Sequence, residues 1–116
     1  MTSEFKLAPS ILSADFADLK SALTQCESGG AHWIHIDVMD NQFVPNLTIG
    51  PPVVKSLRSK TNKFFDVHMM VIDPENLVEP FAKAGADMIS FHVEATNDIQ
   101  SVINLIKATG TQVGLS

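Results

Sequence analysis

Trp33-Ile34-His35-Ile36-Asp37-Val38-Met39 puts Ile34, Ile36 and Val38 on one face of an extended chain, and His35, Asp37 and Met39 on the other. Alternation with period two, rich in β-branched residues, marks a half-buried strand. Downstream lies a polar loop from Asp40-Asn41-Gln42 to Pro45-Asn46. Gly50-Pro51-Pro52 then opens a helix with Val53, Val54 and Leu57 facing inward. Proline suits a first helical turn, where its missing N–H has no partner to lose. Phe64–Val71 reads as the next strand, and Asp73-Pro74 caps a helix carrying Leu77, Phe81 and Ala84. Pro80 inside that helix predicts a kink or a split. Met88–Val93 is a further strand. A helix from Asn97-Asp98 carries Ile99, Val102, Ile103 and Ile106, and Gly110 ends it before a last strand, Gln112–Leu115. Upstream, Lys6–Leu12 reads as a strand, and Ser13 caps a helix from about Asp15 to Glu27. Phe16, Leu19, Leu23 and Cys26 form its buried stripe, and Gly29-Gly30 ends it.

The order is βαβαβαβαβ, which predicts an α/β fold of parallel strands joined by right-handed crossovers. Gly30-Ala31-His32-Trp33-Ile34 and Gly85-Ala86-Asp87-Met88-Ile89 echo one another at helix-to-strand joins. No Gly-x-Gly-x-x-Gly follows the first strand, which disfavours a dinucleotide fold.

The chain has 116 residues, enough for one domain. An apolar fraction of 45% argues against disorder. Thirteen acidic against eight basic residues give a net charge of −5. Arg58, Lys60 and Lys63 are the nearest approach to a basic patch and read as a solvated helix end, so a nucleic-acid partner is not expected. No apolar stretch reaches membrane-spanning length, and the opening MTSEFK lacks a signal-peptide core. The lone Cys26 excludes an intrachain disulfide framework and a cysteine-based zinc knuckle. A cytoplasmic setting is expected.

Strand alternation gathers Ser10, His35, Asp37, His68 and His92 on the face opposite the apolar one. If helices cover the apolar face and the sheet closes into a barrel, that polar face is the interior, with chemistry at its C-terminal rim. His-x-Asp places two side chains about 7 Å apart at Cα, with a neighbouring strand about 4.8 Å away. His68 on that neighbour can converge with His35 and Asp37 on one ion. Two imidazoles and a carboxylate suit zinc, with ferrous iron, manganese and cobalt as alternatives. Taken alone, His-x-Asp fits a structural hydrogen-bonded pair equally well. His92 reads as a satisfied core histidine, or as one that supports a ligand from behind, in preference to a ligand itself. Ser10 by itself is non-specific. Met39 and Met70 fit core packing or an apolar floor under a substrate.

LAPSILSADFADL (7–19), HIDVMDNQFVPNLTIGPPVV (35–54), FDVHMMV (65–71) and ISFHVEA (89–95) together resemble ribulose-phosphate 3-epimerase, in order along essentially the whole chain. The resemblance implies a (β/α)₈ TIM barrel, of which residues 1–116 would be a single domain forming the N-terminal half. It implies interconversion of D-ribulose 5-phosphate and D-xylulose 5-phosphate, in the pentose phosphate pathway and the Calvin cycle. It assigns His35, Asp37 and His68 as metal ligands and Asp37 as one of two acid/base aspartates. Ser10 and His68 match substrate-contacting positions, with Met39 and Met70 lining the site. The implied chemistry is removal of the C3 proton through an enediolate, with a divalent ion offsetting the developing charge. The family's second aspartate and phosphate-binding loops would fall after Ser116, so the chain alone is expected to be inactive. Asn41 stands where the family has glycine, and asparagine tolerates a left-handed turn.

An epimerase for another ketose phosphate, such as allulose 6-phosphate, would use the same inner residues. Related decarboxylases and aldolases resemble an Asp-x-Lys-x-x-Asp strand, and His35–Asp40 contains no lysine. From a different class, a non-catalytic half-barrel would assemble with a partner. Open barrel edges predict self-association or a homo-oligomer in either case.

Overall fold

A computed structural model describes residues 5–116. The expected absence of a leader core over MTSEFK falls partly on residues 1–4, outside the described residues. Four strands lie side by side in chain order and run parallel: β1 (Trp33–Met39), β2 (Phe64–Met70), β3 (Met88–Phe91) and β4 (Gln112–Leu115). They alternate with α1 (Leu19–Ser28), α2 (Pro51–Arg58), α3 (Glu75–Ala84) and α4 (Ile99–Ala108). The architecture is an α/β half-barrel of the expected class.

Sheet and helices share one core. Ile34, Ile36, Val38, Phe65, Val67, Met69, Ile89 and Phe91 are buried against Leu23, Val54, Leu57, Val78, Phe81, Val102 and Ile106. Each such side chain contributes about 1.5–3 kcal/mol on full burial. The opposite face of β1 and β2 keeps its polar residues half-exposed, as the alternation requires.

Several elements differ from the sequence expectation. Lys6–Leu12 is not a full strand. The Leu7 carbonyl accepts from the Trp33 amide and the Pro9 carbonyl from the His35 amide, but only Ser10 bridges to β1, opposite His35. A second bridge would need an N–H at position 9, where proline has none. The chain then turns through a 3₁₀ segment, Ile11–Ser13. The helix expected from Asp15 is split. Asp15 caps a 3₁₀ turn, Phe16–Asp18, and Asp18 caps α1 by accepting from the Ser21 amide, so aspartates replace Ser13 as the caps. Phe16 is 44% exposed and leaves the predicted stripe.

Pro80 does not split α3, which runs unbroken over Glu75–Ala84. Pro80 and Asn76 lie on its exposed side. There water can serve the carbonyl that proline leaves unbonded. β3 ends at Phe91 rather than Val93, because Val93–Ala95 turns into a 3₁₀ segment and exposes Val93. Asp98 caps α4 as expected, but Ile99 faces outward.

Arg58 is not part of a solvated helix end. Its guanidinium lies 3.8 Å over the Phe65 ring. It donates to the carbonyls of Gly85 (3.1 Å), Thr61 (3.1 Å) and Lys63 (2.5 Å), and to Asp87 at 2.9 Å. Asp87 also accepts from the Phe65 amide. This clasp ties α2 to the N-terminal ends of β2 and β3. Gly85 leaves α3 at φ 117° beneath it, and a Cβ there would stand 2.4 Å from the Arg58 Cδ. The echoed Gly-Ala pairs have a shared form: Gly30 and Gly85 take positive φ and are followed by buried Ala31 and Ala86.

Candidate active site

The parallel register of β1 and β2 builds the site. His35 stands opposite Asp66, Asp37 opposite His68, and Met39 opposite Met70. Each imidazole therefore faces a carboxylate on the adjacent strand.

Asp37 is the hub. Its Oδ1 lies 3.1 Å from His35 Nε2 and 3.3 Å from His68 Nδ1, and its Oδ2 accepts a short hydrogen bond from the Ser10 hydroxyl. Potential ligand atoms of His35, Asp37 and His68 all lie within 4.8 Å of one another. Three donors of the types that bind divalent transition metals thus converge from two strands, and they fit such an ion.

The electrostatics distinguish the two imidazoles. The hydrogen bond from His35 Nδ1–H to Asp66, 2.8 Å long, raises the His35 pKa above the ordinary histidine range. Burial opposes that rise, and the charges of Asp37 and Asp66 reinforce it. His68 is pushed down, first by burial and then by its neighbour His92, with Asp37 pulling the other way. Near neutral pH a proton therefore prefers His35.

Met39 and Met70 sit half-buried at the C-terminal ends of their strands on this face. His92 follows the end of β3, with its Nε2 2.8 Å from His68 Nε2. The His68 and His92 rings stack at 4.9 Å between centroids, and Phe43 covers His92 at 5.0 Å. The sequence-derived candidates Ser10, His35, Asp37, Met39, His68, Met70 and His92 thus share one face and one end of the sheet.

Sequence reasoning missed three participants. Asp66 shares the inner face by the same alternation that placed His68 there; Asp-x-His on β2 is the mirror of His-x-Asp on β1. Phe43 and Asp40 belong to the loop after β1, where no periodicity applies. Asp40 accepts from the amides of Gln42 and Phe43 within its own loop, and from Ile72 in the loop after β2. Burial pulls its carboxyl upward, but those amides outweigh it and hold the group below the usual carboxylate range. Asn41 takes φ 59° beside it, the left-handed turn expected of an asparagine there. The loop is further fixed by Thr48, whose hydroxyl donates to the Asp37 carbonyl and accepts from the Met39 amide.

A solved structure of 7,8-dihydropteroate synthase from Vibrio fischeri superimposes with a TM-score of 0.61 over 94% of this chain and 40% of that one, at 18% identity, a likeness of fold alone. Curated relatives named ribulose-phosphate 3-epimerase match far more closely in sequence. That of Treponema pallidum is 53% identical over 100% of this chain and 53% of its own length, and that of Bacillus subtilis 51% identical over 95% and 51%. A rice relative, the cytoplasmic isoform, is 50% identical over 96% of this chain and 49% of its own. The chain thus spans about half the length of the curated relatives it matches. Among the described residues no helix is long and apolar enough to cross a membrane. The model of the ribulose-phosphate 3 epimerase family matches residues 6–116, and the chain belongs to that family.

Proposed function

We propose that the chain carries the metal site and one acid/base group of a metal-dependent epimerase that interconverts D-ribulose 5-phosphate and D-xylulose 5-phosphate. The observation that carries this reading is the convergence of His35, Asp37 and His68 on one point of the inner face. The relatives' name supports the substrate. We assign the 116 residues to a single domain, the N-terminal half of the barrel, working in the cytoplasm.

His35, Asp37 and His68 would hold a divalent ion, zinc in the first instance. Bound there, it supplies positive charge that offsets negative charge developing on the substrate oxygens. Asp37 takes the C3 proton from one face, leaving an enediolate. Ser10 donates to Asp37 and fixes the rotation of its carboxylate. Met39 and Met70 would offer an apolar floor beside the reacting carbons, and the family resemblance assigns His68 and Ser10 contacts to the sugar. Inversion needs a second acid on the opposite face. Asp66, the other carboxylate between these strands, is engaged with His35 and is not free for that role. Of these two carboxylates, Asp37 is the one left to exchange the C3 proton.

The experiment is incubation of the chain with ribulose 5-phosphate in deuterated water, with and without added zinc. Slow metal-dependent incorporation of deuterium at C3 is expected, and its loss in Asp37→Asn. Loss of one acid/base group typically costs about 10²–10⁴-fold. Incorporation that persists unchanged in Asp37→Asn would reject Asp37 as the base.

A further inference from the structure

We infer that Asp66 and His92 are positioning residues that hold the two imidazoles of the site in opposite tautomers, so that His35 presents Nε2 and His68 presents Nδ1 toward Asp37. This rests on the metal-site reading above and adds the parts that orient it.

An imidazole offers a lone pair from one nitrogen only when the other carries the proton, and the partner of that other nitrogen decides which is which. His35 Nδ1 lies 2.8 Å from Asp66 Oδ2, an acceptor, so the proton belongs on Nδ1 and Nε2 is left toward Asp37. For His68 the roles are exchanged. Its Nδ1 faces Asp37 Oδ1 at 3.3 Å, and its Nε2 lies 2.8 Å from His92 Nε2. One nitrogen of that histidine pair must donate and the other accept. Glu94 Oε1, 3.7 Å from His92 Nδ1, favours a proton on that nitrogen and leaves His92 Nε2 as the acceptor. His68 then donates from Nε2–H, and its Nδ1 lone pair is left for the ion that it would share with His35 and Asp37. Phe43 and the stacked His68 ring hold His92 in place for this.

Partners of this kind typically account for 10–100-fold in metal affinity. The test is zinc affinity of the chain, read by competition with a chromophoric chelator, together with long-range ¹H–¹⁵N spectra of the imidazoles. The zinc-loaded parent should show His35 bound through Nε2 and His68 through Nδ1. Asp66→Ala and His92→Phe should each weaken zinc about 10–100-fold. The conservative variants should recover part of the loss, because the amide of Asp66→Asn and of His92→Gln can still accept. His92→Phe keeps an aromatic ring against Phe43, so a folded variant is expected, and circular dichroism verifies it. Equal affinity in folded parent, Asp66→Ala and His92→Phe would overturn this inference alone. Coordination of both histidines through the same nitrogen would overturn it too. A parent that takes up no zinc would overturn the metal reading and this inference with it.

Discussion

Replacing Arg58 by alanine should cost the fold about 2–5 kcal/mol while leaving the site at the other end of the strands intact. The side chain donates to three carbonyls and to Asp87, and it covers Phe65. Hydrogen bonds from a charged group contribute about 1.5–3 kcal/mol each when they are buried. Here the Arg58 side chain is 27% exposed and that of Asp87 42%, so water takes over part of what is lost. The ion pair then counts as a surface pair, roughly 0–1 kcal/mol. Each carbonyl adds about 0.5–1 kcal/mol, and the cation–π contact about 0.5–1 kcal/mol. For a domain of this size each kcal/mol moves the melting temperature by about 3–6 °C, so a fall of roughly 6–30 °C is expected. Arg58→Lys should recover less than half, because an ammonium cannot reproduce the planar fork. Urea unfolding followed by circular dichroism measures the loss, and chelator competition measures zinc affinity in the folded variant. A change in stability below about 0.5 kcal/mol would refute the clasp's role. A large loss of zinc affinity in folded Arg58→Ala would refute the separation of scaffold from site.

Zinc affinity should be flat at high pH and fall as pH drops, because protons compete for the two imidazoles. The first bend, about tenfold per pH unit below it, should come above 6.5 from raised His35, and the second below 6.5 from lowered His68; a titration whose first bend lies below 6.5 would contradict the assignment. The unpaired side of β4 and the thinly paired Leu7–Ser10 segment should drive self-association, so sedimentation at high dilution showing a stable monomer would count against it. Asn41→Ala should destabilise by about 1 kcal/mol at its left-handed φ and Asn41→Gly should be near neutral, as read from thermal melts.

The layout of the candidate site was legible wherever periodicity governs. Alternation over Trp33–Met39 and Phe64–Val71 assigns every side chain of β1 and β2 to its observed face, and the three candidate ligands follow. It also contained Asp66, whose value emerges only once the register puts it opposite His35. The legible pattern ended where local hydrogen bonding overrules it. Pro9 stops a strand by withholding one N–H. Asp15 and Asp18 each capture an amide and divide a helix in two. Val93 reads as a strand residue but turns outward at the end of β3. Arg58 looked like surface charge because most of its partners, the carbonyls of Thr61, Lys63 and Gly85 and the ring of Phe65, carry no charge, and its one charged partner, Asp87, lies 29 residues away in the sequence.

The Asp40 carboxylate spans two loops that the chain separates by an entire helix and strand. The Asp40 carboxylate therefore pins the mouth of the site: moving the Gln42–Phe43 turn without the Ile72 backbone, or the reverse, breaks hydrogen bonds that it accepts. Phe43 rests on His92, so displacing either loop lifts the cover from the histidine stack. Swapping one of these loops between relatives, a common route to new specificity, means carrying the pin and its socket as a matched set.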